Sequence, residues 1–274
     1  MPHQPASHPH PVPLGPREMG RVNWRGLWEL YLKEVRRFVK VWLQTIAAPL
    51  VTSLLFLAIF ALALGRSVQE VGGVSFMEFL APGLIMMTMV QNAFANTSSS
   101  VIISKVQGNI VDVLMPPLSA GELVVAFAGG GVTRGLVVGV AVAAGMAFFV
   151  DLHVHNWGYI LFHAVGASLM LSLLGLLAGV WSDKFDHMAA VTNFIITPLS
   201  FLSGTFYSID RLPDNFQVFA HFNPFFYMID GFRYGFLGHD DALPATGLVV
   251  VAVTNLALLA ASYLMIRSGY KLKA

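Results

Sequence analysis

The sequence predicts an all-α integral membrane protein with six transmembrane helices, an N-terminal interfacial amphipathic helix and re-entrant helices between spans five and six. Three observations carry this expectation. The 274 residues are 56% hydrophobic and only 11% charged, with a mean hydropathy of +0.68, whereas soluble domains carry about 25% charged residues. The charges are clustered and leave long uncharged windows. Lysine and arginine are also strongly biased to one side of those windows. A soluble chain of this length would need an almost uncharged surface and would aggregate.

The N-terminus comes first. His3, His8 and His10 lie among prolines between Pro2 and Pro13, too polar for the apolar core of a signal peptide. Residues 1–22 read as a disordered cytoplasmic tail. A His-rich tail can bind metal, but Pro-rich disorder accounts for the composition without it, and no metal site is assigned. The remaining residues, 23–274, read as one membrane domain.

Residues 23–41 alternate differently. Trp24, Trp28, Tyr31, Val35, Phe38 and Trp42 recur at steps of three and four, and Arg25, Glu29, Lys33, Arg36 and Lys40 take the opposite face. Such a helix belongs in the membrane interface. A soluble helix packed on a partner would share the pattern, but this one adjoins a span.

A bilayer-spanning helix needs about 20 mostly apolar residues. Lys40 to Arg66 encloses 25 uncharged residues, Glu78 to Lys105 encloses 26, and Glu122 to Asp151 encloses 28 interrupted only by Arg134. Together with three later windows they predict spans at about 43–64, 79–103, 123–149, 157–180, 188–208 and 244–266. Gly131, Gly135 and Gly139 in the third, and Gly175 and Gly179 in the fourth, have the small-residue spacing that brings helices close. The aromatic stretch from Leu212 to Gly238 is too short to span and too apolar for a free loop. Asn223-Pro224 breaks it, so it reads as two short re-entrant or interfacial helices.

Orientation follows from the basic residues. With the N-terminus cytoplasmic, that side holds twelve lysines and arginines, and the far side holds Arg66, Arg211 and Arg233. Six spans return the C-terminus to the cytoplasm.

Enzyme patterns are absent. No lysine follows a glycine, so there is no Walker A loop. There is no His-Glu-x-x-His and no Gly-x-Ser-x-Gly, and no cysteine for thiol chemistry or metal ligation. His153 and His155 are a weak metal pair without a third ligand. Net charge is +1, so nucleic acid is not an expected partner. Arg134 is the intramembrane charge, expected to reach a polar partner or to serve transport; His163 reads as a packing residue. The loop from Ser104 to Leu123, closed by Pro116-Pro117, is either a docking surface for a cytoplasmic protein or an ordinary connector.

Four stretches resemble one family. Leu80-Ala81-Pro82-Gly83-Leu84 and Gly108 to Leu114 followed by Pro116-Pro117-Leu118-Ser119 are similar to segments of ABC-2 type exporter permeases. So are Thr197 to Ser208 and Asn223 to Arg233. The similarity runs from Trp24 to Lys271 and points to a branch that includes bacterial drug, polysaccharide and lipo-oligosaccharide exporters. Phe225-Phe226 departs from the Leu-Thr pair of many members, and the His/Pro-rich start is unusual; both leave the substrate open.

The resemblance implies a multi-pass permease of the bacterial inner (cytoplasmic) membrane, in contact with its lipids. It implies a homodimer that works with two copies of a cytoplasmic ABC ATPase. ATP and Mg would sit on that partner and no cofactor on this chain, which would be a transport subunit and not an enzyme. Residues 105–115 would form the coupling helix, with Lys105, Gln107, Asn109, Ile110, Asp112 and Leu114 meeting the ATPase. Asn92, Asn96, Asn193, Thr197 and Ser200 are the expected substrate pathway. A membrane scaffold or signalling subunit without transport is the alternative.

Overall fold

The computed structural model describes residues 20–64, 70–71, 73–209, 213–238 and 243–272. Most of the His/Pro-rich tail, Arg66, Arg211 and Lys273 therefore lie outside the described residues.

Helix α1 covers Trp24–Val39, with the Asn23 side chain accepting from the Gly26 amide at its start. A π-helical turn, Leu43–Ala47, leads into α2, Ala48–Leu64. A hairpin of two-residue strands, β1 Glu70–Val71 and β2 Val74–Ser75, pairs antiparallel with Glu70 opposite Ser75. Ser75 then caps α3, Phe76–Val106, through a reciprocal capping box with Glu78. The chain turns at Gly108, whose φ of +75° suits glycine, into the short α4, Ile110–Leu114. A second capping box, Ser119 with Glu122, starts α5, Ala120–Met146. Asn156 caps α6, Trp157–Trp181.

Next comes a broken element made of α7 Phe185–Val191, a π-turn Thr192–Ile196 and α8 Thr197–Phe201. Helices α9 Asp214–Phe222 and α10 Pro224–Leu237 meet at Asn223, where the sequence predicts a break. The last helix, α11, covers Pro244–Ser268 and ends at Gly269 in the left-handed region.

Among the described residues, four helices are long and apolar enough to cross a membrane: Leu43–Ala63, Ala120–Met146, Trp157–Trp181 and Pro244–Ser268. They coincide with predicted spans one, three, four and six. The α3 helix, 31 residues long, carries a polar run from Gln91 to Ser100 that lowers its hydropathy.

The fifth element departs from the predicted 188–208. Its helical path stops at Phe201, because Ser203 and Thr205 hydroxyls donate to the Ser200 carbonyl and Gly204 takes φ of +75°. Hydroxyls that satisfy the last carbonyls end a helix in the way a further turn would have continued it. Residues 185–201 would extend about 25 Å at 1.5 Å per residue.

The core forms where α3 lies between α5 and α6, and glycines set its tightness. A Cβ at Gly135 would crowd Ser168, Ala93 and the Met89 carbonyl, and one at Gly131 or Gly139 would strike Thr97 or Met89. On α6, a Cβ at Gly175 would lie 2.5 Å from the Phe94 carbonyl oxygen, and one at Gly179 would meet Val101 and Ser98. The predicted glycine ladders therefore both face α3. Thr97 and Ser172 hydroxyls bond across the same seam at 2.6 Å.

These pairings fix direction. Helices α3 and α6 run parallel, since Phe94 meets Gly175 and Lys105 reaches Val180 and Ser182. Helix α11 runs with them, from Val251 and Asn255 beside Gly166 to Lys271 beside Trp181. Helix α5 runs the opposite way to α3, since Gly131 meets Thr97 whereas Gly139 meets Met89; α2 touches α3 where Ser53 bonds Thr88, and the segment after α8 touches it where Thr205 meets Gly83. One end of the bundle thus gathers the start of α1, α4, the start of α5 and the ends of α3, α6 and α11. The other end holds the β hairpin and α10, whose Arg233 stacks 3.9 Å over the Phe79 ring and donates to the Gly204 carbonyl at 2.8 Å.

Candidate functional site

Three features of the bundle are built for more than packing. The first is a cleft of about 440 Å³ between α3 and the α7–α8 element, lined by Gln91, Asn92, Ser98 and Ser99 on one wall and Thr192 and Thr197 on the other, with Phe94, Ala95, Ile102, Phe185, Met188 and Ile196 among them. A smaller cleft of about 290 Å³ lies on the other side of α3, against α2, and shares Gln91 and Asn92 while adding Gln44 and Thr52. The half-buried stripe of α3 is therefore a polar ridge with a hollow on either flank. Polar groups at this depth are costly in a membrane unless they meet one another or a water-filled space.

Asn92 is held rigidly within that ridge. Its amide donates to the Thr88 carbonyl at 3.0 Å, and its oxygen accepts from Arg134 Nη2 at 2.9 Å. Arg134, the charge inside α5, thus finds its polar partner on the back of the cleft.

Second, α1 drives a charged pair into the bundle. Glu34 is fully buried and accepts from Ser100 Oγ at 2.7 Å. Arg37 donates to Glu34 at 3.3 Å, to Ser99 Oγ at 3.0 Å and to Asn96 Oδ1 at 3.1 Å, and also to the Asn96 carbonyl. Tyr31 bonds Thr133 on α5 at 2.9 Å. The face of α1 turned to the protein therefore carries Leu30, Glu34 and Phe38, while Trp24, Trp28 and Trp42 stay exposed. This corrects the simple two-faced reading of the helix: a third, protein-facing stripe lies between the tryptophans and the basic residues. Burying Glu34 is tolerable because each carboxylate oxygen accepts a hydrogen bond, one from Ser100 and one from the half-buried Arg37.

Third, the turn after α3 presents a compact exposed surface. Ile110 and Val113 point inward as anchors, whereas Gln107, Asn109, Val111, Asp112 and Met115 are exposed, Met115 at 76%. Leu114 is half-buried. Lys105 turns away from that surface. Its ammonium donates to the carbonyls of Val180 and Ser182 at 2.7 and 2.6 Å, closing the end of α6. Lys271 joins it there, 3.0 Å from the Trp181 carbonyl and 2.6 Å from Asp183. The Lys271 hydrogen bond holds the Asp183 carboxyl below its ordinary 3.8, and the same bond raises Lys271. The backbone amide of Asn23 donates to Glu122, and the Asn23 side chain reaches the Pro117 carbonyl at 3.2 Å. The turn, the start of α1 and the start of α5 are thus tied together.

The residues expected to line a pathway separate into two groups. Asn92 and Thr197 face one another across the larger cleft. Asn96 lies fully buried behind it, Asn193 is exposed on the outer side of the π-turn, and Ser200 is buried with its hydroxyl on the Ile196 carbonyl. Gln91, Ser99 and Thr192 were not singled out from the sequence. Thr88, Gln91, Asn92, Ala95 and Ser99 do recur at helical steps of three and four, and that period is the signal that marks the cleft-facing stripe.

Among the described residues, no group of three or more His, Asp or Glu side chains is placed to hold a metal ion. The described bundle thus has helices long and apolar enough to cross a membrane, a cleft beside α3 and a tethered turn at one end. Residues 25–237 match the ABC-2 type transporter family, and the chain belongs to that family as a permease subunit. It is 39% identical over 256 residues to the inner membrane transport permease YadH of Escherichia coli K12, covering 93% of this chain and all of the relative. Nodulation protein J of Rhizobium leguminosarum bv. viciae is 27% identical over 225 residues, covering 81% of this chain and 85% of its own. The Nodulation protein J of Sinorhizobium fredii is 26% identical over 242 residues, 84% and 88% of the two chains.

Proposed function

We propose that this permease is the membrane half of an ATP-driven exporter in a bacterial inner membrane. It moves an amphiphilic substrate, lipid-linked, glycan-linked or drug-like, out of the cytoplasm or inner leaflet. In this reading α2, α3, α5, α6, the α7–α8 element and α11 are six crossings, and both termini are cytoplasmic. Helices α9 and α10 enter the outer face and return. Two copies assemble with two ABC ATPase subunits, which hold ATP and Mg. Inner-membrane placement takes support from the name of the YadH relative.

The observation that carries the reading is the union of the polar cleft with the tethered surface around α4. Closure of an ATPase dimer would push on Gln107, Asn109, Val111, Asp112 and Met115. The movement would pass through Ile110 and Val113 into the packed ends of α3 and α5. Asn23 and Glu122 carry the same displacement into α1, whose Glu34–Arg37 pair grips α3 at Asn96, next to the cleft. The apolar flanks and polar ridge of the cleft suit a molecule with both characters.

Co-purification with the ATPase subunit tests the docking surface. Asp112→Lys is expected to reduce the ATPase retained by at least tenfold with no change in permease yield. Full retention together with undiminished substrate-stimulated hydrolysis would remove α4 from the docking surface.

A further inference from the structure

A third hollow lies on the other side of the α7–α8 element, and its lining is almost wholly apolar, whereas polar and apolar residues share the cleft. It is an open groove of about 650 Å³ between α6, α7–α8 and α11. Of the residues lining it, Thr254 alone has a hydroxyl, and Trp181 contributes the one ring N–H. Water would find almost no hydrogen-bond partners along such a lining. The shape is elongated: α6 lines it from Met170 to Trp181 and α11 from Thr254 to Met265. Eleven residue steps on each of two parallel helices extend about 16 Å. Pro224 and Phe225 line its far end, and Phe94 and Ile196 are shared with the polar cleft as a partition.

The near end is basic and interfacial. Trp181 stands there with Lys271 on its carbonyl and 5.6 Å from its ring. Lys105 closes the same helix end, and Lys184 follows Asp183 in the chain, exposed. Lys105 and Lys271 both pair with Asp183, at 3.4 and 2.6 Å, and the exposed Lys184 and Asp186 follow in the chain, so the segment carries three ammonium groups to two carboxylates.

We propose that this crevice seats one acyl chain of an anionic phospholipid from the cytoplasmic leaflet, with the headgroup phosphate at Lys184 and Lys271. A long carbon-lined slot parallel to the helices, ending at a tryptophan and an excess of ammonium groups, matches a lipid chain and its headgroup in both length and charge. A glycan would leave its hydroxyls unpaired along the slot. The occupant braces the α7–α8 wall from behind, and the site is separate from the substrate cleft. The inference requires only that α6 and α11 cross the membrane, whichever substrate is transported.

Photolabelling of the full-length permease with its ATPase in vesicles tests this. The probes are phosphatidylglycerol and phosphatidylcholine carrying a diazirine on one acyl chain, with adducts mapped by peptide mass spectrometry. Phosphatidylglycerol adducts are expected at Leu174, Leu177 and Leu258, several-fold above those from phosphatidylcholine. The pair Leu174→Trp and Leu258→Trp fills the slot and is expected to cut these adducts at least fivefold, while Val140→Trp on exposed α5 leaves them unchanged. Lys184→Glu, a surface change that spares the fold, is expected to abolish the headgroup preference. Adducts spread evenly over all apolar surfaces, or equal labelling by the two headgroups, would overturn the proposal. Cross-links between two permease copies through the slot would overturn it as well.

Discussion

Gly175 lies against the α3 backbone, and a methyl group there would meet the Phe94 carbonyl at 2.5 Å. A carbonyl in a helix cannot rotate aside as a side chain can. Gly175→Ala is therefore expected to cost about 1–3 kcal/mol as an overpacked seam, read as a lowered melting temperature of the detergent-solubilised protein. Glu34 gives a second residue-scale case. Glu34→Ala removes the carboxylate between Arg37 and Ser100, and the loss of charge-assisted bonds is expected to cost about 1.5–3 kcal/mol. Asp183 supplies a pH signature. Its carboxyl is held below its ordinary value by Lys271, so the clasp contributes fully above about pH 4. The contribution is lost as pH falls through the lower, folded value. Thermal melts between pH 7 and 3 are expected to show an acid-side loss that Asp183→Asn diminishes.

At the scale of elements, the two π-turns share a cause. Leu43–Ala47 precedes Pro49, and Thr192–Ile196 precedes Pro198. A proline inside a helix removes a donor and crowds the carbonyl four residues back, and a widened turn accommodates both effects. These two elements are the walls that flank the polar ridge of α3. Pro198→Ala restores the missing N–H and lets the turn tighten, which would rotate Thr197 and the residues after it by about 100°. Transport is expected to fall several-fold while the melting temperature holds or rises. Much of this level was legible beforehand. Windows with no charge, or in α5 with Arg134 alone, located α2, α5, α6 and α11, the glycine spacing located the tight seams, and Asn223-Pro224 located the break between α9 and α10. The end of α8 was not legible, because hydropathy does not register hydroxyls that satisfy a helix terminus. The inward stripe of α1 was hidden as well: Glu34 and Arg37 look like solvated charges until Asn96 and Ser100 are brought against them by the fold.

At the scale of the molecule, one end of the bundle and its interior form a linked pair. One end is tied together by Asn23, Glu122, Lys105, Asp183 and Lys271 and presents the surface around α4. The interior beyond it holds the cleft at Asn92 and Thr197. Sequence reasoning reached both neighbourhoods through the family resemblance, but not their linkage, since residues such as Asn23 and Glu122 are 99 positions apart and carry no pattern of pairing. It also placed Lys105 at the coupling surface, whereas the fold uses that ammonium to close α6. The central claim is that force applied at α4 moves substrate through the cleft. Its most direct measurement is ATP-dependent translocation of lipid-linked glycans in vesicles containing this permease and its ATPase. The account predicts ATP-driven movement that falls at least tenfold with Asp112→Lys, and also with Asn92→Leu, whose complex still assembles and hydrolyses ATP. Undiminished movement in both variants, or a stable complex that hydrolyses ATP and moves none of a broad panel of amphiphiles, would contradict it.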